Sequence, residues 1–435
     1  MSDAEQKPEL QWFVGIDWAT QEHEVCVVDR EGKKVGGRSF KHTGEGLATL
    51  CSWIAEVTSS AIAVQVAVVV ELVRGALVAT LLERGYRVFE CNPKQTDRLR
   101  DRHSVAGAKD DRLDAFVLAE AGRKDLSLLR EVPADAEAMV QIRELARMHD
   151  ELVHDHVRLT NRLREQLHRY YPQMLELGSD VSERWRLELW ERAPTPDAAL
   201  ELRPAWVRAL LARHRIRRID AKEVITTLRT RKLHVAPGVT EAAVMHIETL
   251  VPQLRVLRDQ IHATERKLDA ALNAFAATEE SSVGQSDEQR DVAILRELPG
   301  AGKVVIAALL AEAWPALRAR DYHQLRALSG VAPITQQTGK QGKRKGPRPL
   351  VMMRRACNAR LRDALWHWAA SAAQHYERWQ RELAALHARG IERPQALRII
   401  GDRLLRITCA CLRDGTHYKH VSETNQEQSH AAQAA

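Results

Sequence analysis

Cysteine is scarce and unpatterned in this chain of 435 residues. The six present (Cys26, Cys51, Cys91, Cys357, Cys409 and Cys411) include no Cys-x-x-Cys pair. That excludes a disulfide-dense scaffold and fits small buried thiols in a reducing compartment. Long hydrophobic runs are lacking as well. The longest mostly apolar stretch, Ala61 to Val70, is too short to span a bilayer. The first residues are polar and charged, with no signal-peptide core. The expectation is a cytoplasmic protein with no membrane partner.

What is present describes an ordinary soluble chain, 45% apolar and 28% charged. Its length suffices for two or three domains with proper cores. Lys and Arg number 65 against 58 Asp and Glu, a net +7. So mild an excess hints at a polyanionic partner only if it is concentrated somewhere. One segment concentrates it. From Lys340 to Arg362 the chain carries Lys340, Lys343, Arg344, Lys345, Arg348, Arg354, Arg355, Arg360 and Arg362 with no Asp or Glu. Glycines and prolines keep its first part a loop, and unrelieved positive charge on a loop suits a nucleic-acid backbone.

Residues 12–125 read as α/β, within a domain placed at 10–130. Short strands at Trp12–Asp17, Glu24–Val28 and Val35–Phe40 precede an amphipathic stretch, Glu45–Val57, and a buried strand, Ala63–Val70. Helix and strand then alternate to about residue 100. This order suits a mixed sheet of the RNase H-like kind. From 135 to 275 the period becomes helical. Ile142, Leu145, Leu152, Leu159 and Leu163 form one seam, which His149 and His156 interrupt. Ile247, Leu250, Leu254, Leu257, Ile261, Leu268 and Leu272 form a cleaner one. An antiparallel coiled coil with a helical cap at 173–245 follows from these. The cap carries a basic spot at Arg213, Arg215, Arg217 and Arg218. A polar linker occupies 276–290, a helical domain 291–420 and a disordered tail 421–435.

Four acids sit where surface charge explains them poorly. Asp17 ends the apolar run Phe13–Ile16, and Glu71 ends Val66–Val70. Asp111 and Asp114 lie three apart, on one helix face, within Lys109–Ala115. Asp110 and Asp114 also share a face, so spacing alone leaves Asp110 and Asp111 open. Carboxylates at the ends of buried strands need a positive partner. A divalent cation of the Mg²⁺ kind, shared with substrate phosphates, would compensate several at once. A second motif, Leu298-Pro299-Gly300-Ala301-Gly302-Lys303, has the form of a helix-hairpin-helix turn. Its glycines would let backbone N–H groups approach a phosphate.

Together these features resemble the transposases of insertion-sequence family one-hundred-and-ten, also called bridge-RNA-guided recombinases. The resemblance covers roughly residues 12–418. It rests on Gly15-Ile16-Asp17, on Glu71, on Lys109–Ala115, on Pro299–Gly302 and on Gly330-Val331-Ala332-Pro333. Residues 396–398 and 403–405 add less specific similarity. The family pairs a RuvC-like Asp-Glu-Asp-Asp domain and a coiled coil with a C-terminal domain holding a helix-hairpin-helix and a nucleophilic serine. Carried over, the resemblance implies Asp17, Glu71, Asp111 and Asp114 as Mg²⁺ ligands, choosing Asp111 over Asp110. It implies nucleic-acid contacts at Gly300, Gly302, Lys303, Lys340, Lys343, Arg344, Lys345, Arg348, Arg354 and Arg355. It also implies donor and target DNA, a structured guide RNA, a dimer or dimer of dimers, and a bacterial cytosol. One departure stands out. Threonine, Thr338, holds the place of the serine. Thr338 as nucleophile, Ser329 or Thr335 in its stead, and an impaired copy are the three readings this leaves. A nuclease or junction resolvase using metal-activated water is the competing chemistry.

Overall fold

Strict alternation in Trp12–Asp17 sends Val14 and Ile16 to one side of a strand and Phe13, Gly15 and Asp17 to the other. A computed structural model describes residues 9–59, 62–71, 75–100, 110–132, 137–236, 238–277, 287–336 and 350–418. The chain divides into two units, Met1–Asp135 and Ala136–Ala435.

The first unit runs β1 (Trp12–Asp17), β2 (Glu22–Val28), β3 (Lys34–Lys41), α1 (Gly44–Val57), β4 (Val66–Val70), α2 (Ala76–Glu83), β5 (Arg87–Glu90), α3 (Pro93–Arg100), α4 (Asp111–Lys124) and β6 (Arg130–Val132). The strands form one mixed sheet in the order β3-β2-β1-β4-β5-β6. β1, β4 and β5 are parallel at its centre, and antiparallel neighbours flank them on both sides. β4 reads Val-Ala-Val-Val-Val because both of its faces are covered. Val14, Ile16, Val68 and Val70 pack under α1 and α2 through Leu50, Ile54, Leu77 and Leu81. Phe13, Ala67 and Val69 pack under α4 through Ala115, Leu118 and Ala119.

Two glycines set how closely α4 lies on the sheet. A Cβ at Gly15 would fall 2.0 Å from the Ala115 carbonyl oxygen and 2.3 Å from the Ala119 nitrogen. One at Gly122 would meet a Val69 methyl at 2.7 Å. Backbone atoms cannot rotate out of the way as a side chain can, so α4 has to lift off the sheet. Gly15→Ala is therefore expected to destabilise this unit by about 3 kcal/mol, the upper end of ordinary overpacking costs. Chemical denaturation of the two proteins side by side measures it. A loss under about 1 kcal/mol would mean that the helix has room to shift.

The second unit begins with α5 (Glu137–Tyr170) and continues through a cap of α6 (Gln173–Glu176), α7 (Arg184–Arg192), α8 (Pro196–Ala199), α9 (Pro204–Arg213) and α10 (Ala221–Leu228). Then follow α11 (Val239–Ala277), α12 (Asp287–Arg296), α13 (Lys303–Arg318), α14 (Tyr322–Leu328), β7 (Pro333–Gln336), β8 (Leu350–Met353), α15 (Ala359–His375), α16 (Glu377–Ala388) and α17 (Arg393–Asp414). α5 and α11 run antiparallel. Met139 and Ile142 share a core with Leu268, Leu272 and Phe275, while Leu163 and Leu167 share another with Ile247, Leu250 and Leu254. Between these two cores the interface turns polar. Among the described residues, His156 and Thr160 each keep a buried side-chain atom with no hydrogen-bond partner, and His149 Nε2 lies 3.5 Å from the Glu265 carboxylate. Leu257 and Ile261, expected in the apolar seam, are only half-buried there.

One expectation needs correcting. The C-terminal part is not all-α, because β7 and β8 pair antiparallel, Gln336 opposite Leu350 and Pro333 opposite Met353. The short run Leu350-Val351-Met352-Met353 finds a strand partner instead of extending the helix that follows. The linker (apart from its two ends) and the tail lie outside the described residues. Among the described residues, no helix is long and apolar enough to cross a membrane.

Candidate functional site

Strand parity and helix placement bring three of the four acids together. Asp17 is the last residue of β1 and points to the face that α4 covers. Asp111 and Asp114 lie in the first turn of α4, where the helix dipole favours negative charge. Because Gly15 lets α4 approach the strand, that turn lies beside the end of β1. One carboxylate oxygen from each of Asp17, Asp111 and Asp114 falls within 4.8 Å of the others. Three hard oxygen donors at that spacing suit a divalent cation of the Mg²⁺ class. Burial grades across the group: Asp114 is 3% exposed, Asp17 half-buried and Asp111 exposed. The site thus opens toward solvent at Asp111.

Asp110, which spacing could not separate from Asp111, has a structural task. It is the N-cap of α4, and its carboxylate accepts from the Arg112 N–H at 3.0 Å. Glu71 follows β4 at the same end of the sheet but stands outside the group of three. Its charge acts on Arg100 and on Cys91.

Arg100 is a feature that sequence reasoning missed. Its Nε donates to Asp114 Oδ1 at 2.5 Å and its Nη2 to Oδ2 at 2.9 Å, a forked ion pair. The guanidinium pKa is raised, first by this hydrogen bond to Asp114, with Asp97 and Glu71 adding to it. The only signal in the sequence was one basic residue among several in Pro93–Arg100.

A histidine pair was missed too. His23 is fully buried; its Nδ1 accepts from the Ala19 N–H at 3.4 Å, and its Nε2 lies 2.8 Å from His42 Nδ1. Nδ1 is therefore the bare nitrogen, and Nε2–H donates to His42. Burial, and next the neighbouring His42, pushes the His23 pKa down to about 4. The neutral ring holds the turn that follows Asp17, and Trp18 packs near both rings.

The second unit carries the other sequence candidates. Gly300 has φ 76°, and a Cβ there would meet the Ala372 backbone nitrogen at 2.6 Å. Packing of the turn against α15 demands this glycine, and Trp368 Nε1 donates to the Pro299 carbonyl at 2.8 Å to fix it. Gly302 caps α13 with open space in its Cβ direction, and Lys303 opens that helix 4.0 Å from Glu265. In the basic run, Arg355 is exposed and Arg354 Nε donates to the Ala356 carbonyl. Arg360 and Arg362 are held in ion pairs, with Asp150 at 3.0 Å and Asp363 at 2.8 Å. Part of the cap's basic spot is likewise matched, Arg213 and His214 by Glu188 and Arg218 by Glu183.

Thr338, Lys340, Lys343, Arg344, Lys345 and Arg348 lie outside the described residues. Ser329 is fully buried, its hydroxyl turned back toward the Arg326 carbonyl at 3.4 Å. Asn358, just after the hairpin, caps α15 and donates to buried Glu312 at 2.7 Å. Burial pushes the Glu312 carboxyl up, but Arg147 and Asn358 outweigh it and leave the pKa below its ordinary value.

Comparison with known proteins gives this geometry its context. Residues 14–172 match a family model of the DEDD type described as "Transposase". Residues 292–385 match one described as "Transposase IS116/IS110/IS902 family". The "Mini-circle putative transposase for IS117" of Streptomyces coelicolor is 31% identical over 422 residues, 93% of this chain and 95% of its own. The "Putative transposase y4uE" of Sinorhizobium fredii is 44% identical over 209 residues, 48% of this chain, and that match spans only 58% of its length. An IS116 insertion-element protein of Streptomyces clavuligerus is 26% identical over 76% of this chain and 78% of its own. With matches on both units and one relative aligned nearly end to end, the chain belongs to the IS116/IS110/IS902 family of transposases, enzymes of DNA recombination.

Proposed function

We propose that this protein cuts and rejoins DNA strands through a metal-assisted hydroxyl nucleophile, with Thr338 in that role. The observation that carries the reading is the convergence of Asp17, Asp111 and Asp114 to within 4.8 Å at one end of the sheet. A divalent cation of the Mg²⁺ class held there would neutralise the scissile phosphate. Asp17, Asp111 and Asp114 would each give it an oxygen, and Glu71 would complete the set from the neighbouring strand. The sheet order, with parallel strands at its centre, is consistent with an RNase H-like (RuvC-like) domain.

Thr338 Oγ1 would form a phosphoester bond as the bond from phosphorus to one deoxyribose oxygen breaks. The departing oxygen takes up a proton, and the threonine hydroxyl loses one. Attack by the hydroxyl of another strand reverses the bond changes and reseals the DNA. Lys340, Lys343, Arg344, Lys345, Arg348, Arg354 and Arg355 would hold donor and target DNA and a structured guide RNA. Gly302 and Lys303 would offer a phosphate the open start of α13, with Gly300 shaping the turn. The acids and Thr338 lie far apart in the sequence, so on this reading the active centre would have to be assembled. The antiparallel α5–α11 pair, read as a coiled coil, would bring protomers together as a dimer or dimer of dimers.

A second reading keeps the carboxylates and dispenses with Thr338: hydrolysis by metal-activated water, as in a nuclease or junction resolvase. That the three acids converge within one unit favours it. The test is a nicked suicide substrate carrying the element's junction. Recombination predicts a protein–DNA adduct that forms in Mg²⁺ and does not form in EDTA. Adduct-free cleavage would sink the recombinase reading in favour of the nuclease. Salt-sensitive binding with no strand change would leave a catalytically impaired DNA-binding copy.

A further inference from the structure

Arg100 occupies the place in the carboxylate site where positive charge is most needed. Asp114 is the most buried of the three ligand candidates, 3% exposed, and both of its oxygens accept from the same guanidinium. Glu71, the acid left outside the group, acts electrostatically on Arg100 as well. Arg100 also bonds Asp97 at 3.2 Å, so its position is set from more than one side. A buried carboxylate without such a partner would be costly. A carboxylate with both oxygens engaged by a forked cation is also a poorer ligand. Its negative charge is already neutralised, and its lone pairs are partly used.

We propose that Arg100 is the resident counter-cation of this site and sets the threshold at which it takes up a divalent ion. The inference rests on the metal reading above and adds a competitor to it. Arg100 holds Asp114 in place while the site is idle. To free an Asp114 oxygen it gives up one of its two hydrogen bonds and keeps the other, so the carboxylate stays oriented. Its retained positive charge then lies at the rim, where the phosphate of a DNA strand approaches.

The test is Mn²⁺ titration of the full-length protein at fixed pH and salt, with free Mn²⁺ read from its six-line electron paramagnetic resonance signal. Arg100→Gln removes the charge and keeps a donor. It is expected to bind Mn²⁺ about tenfold more tightly, the net of a charge repulsion that solvent partly screens. Its melting temperature should also rise further on adding Mn²⁺ than that of the unmodified protein. Arg100→Lys keeps the charge and loses the fork, and should stay close to the unmodified affinity. A folded Arg100→Gln protein with equal or weaker Mn²⁺ affinity overturns the proposal and leaves Arg100 as a brace. Should Arg100→Gln fail to fold, Arg100→Met, which keeps the stem and drops the charge, takes its place: tighter Mn²⁺ binding upholds the charge effect, and equal or weaker binding overturns it. If neither the unmodified protein nor either variant binds Mn²⁺, the metal reading itself falls and takes this inference with it. Mn²⁺ binding lost in Asp111→Asn but unaltered in Arg100→Gln defeats the counter-cation alone.

Discussion

Asp111→Asn is expected to slow strand exchange by about a thousandfold or more while leaving the protein's melting temperature nearly unchanged. Both halves of that result follow from where the residue lies. Asp111 is exposed, at the open side of the carboxylate group, so nothing in the core depends on its charge. The substitution exchanges a charged oxygen ligand for a neutral amide that binds hard cations weakly. It also removes one of the charges favoured by the start of α4, worth about 0.3–1 kcal/mol. Asp114→Asn should be equally inactive but less stable, since it breaks the forked pair with Arg100. Hydrogen bonds to charged groups carry about 1.5–3 kcal/mol each, part of which the amide recovers. Measuring exchange rate and thermal unfolding on both variants separates the two roles. If Asp111→Asn kept even a tenth of the activity, the group of three would not be the catalytic centre.

Thr338 carries the second large effect. Thr338→Ala should abolish the covalent protein–DNA adduct altogether, and Thr338→Ser should retain it or raise its yield. Alanine removes the hydroxyl oxygen that this reading assigns to the phosphoester. Serine keeps the hydroxyl and drops the methyl that stiffens χ1 and crowds an in-line approach to phosphorus. Gel-shifted adduct on a suicide substrate, quantified over time, reads both variants. Ser329 is a poor alternative because its side chain is fully buried. An adduct surviving in Thr338→Ala would therefore direct attention to Thr335.

Much of the first unit was legible because its signals are local. Period-two alternation marked β1, and a fully apolar run marked β4 as a doubly covered strand. Acids at the ends of such strands stood out for the same reason. What local pattern could not settle was the choice between Asp110 and Asp111, which share a helix turn. Resemblance chose Asp111, and in the structure Asp110 serves as the N-cap of α4. Gly15 reads as a neutral strand residue until α4 lies against it, and that contact spans about a hundred residues of sequence. Arg100 was invisible on similar grounds, as a basic residue in a polar helix resembles any solvated face. The β7–β8 hairpin was missed because a four-residue apolar run is ambiguous between strand and helix. In the long helices the interrupting histidines were noticed, but their meaning needed the partner helix.

The placement of Asp111 and Asp114 in the first turn of α4 has a bearing on how the protein persists between reactions. In small zinc modules the ligands repel one another or stay unfolded until metal arrives, so folding and loading are a single event. Here the helix start favours both acids, and Arg100 balances the buried one. The fold supplies the compensation that an ion would otherwise have to provide. On the metal reading, folding would then not wait on loading, although a bound ion would still add stability. A chelated molecule would be silent but intact, ready to resume work when the ion returns.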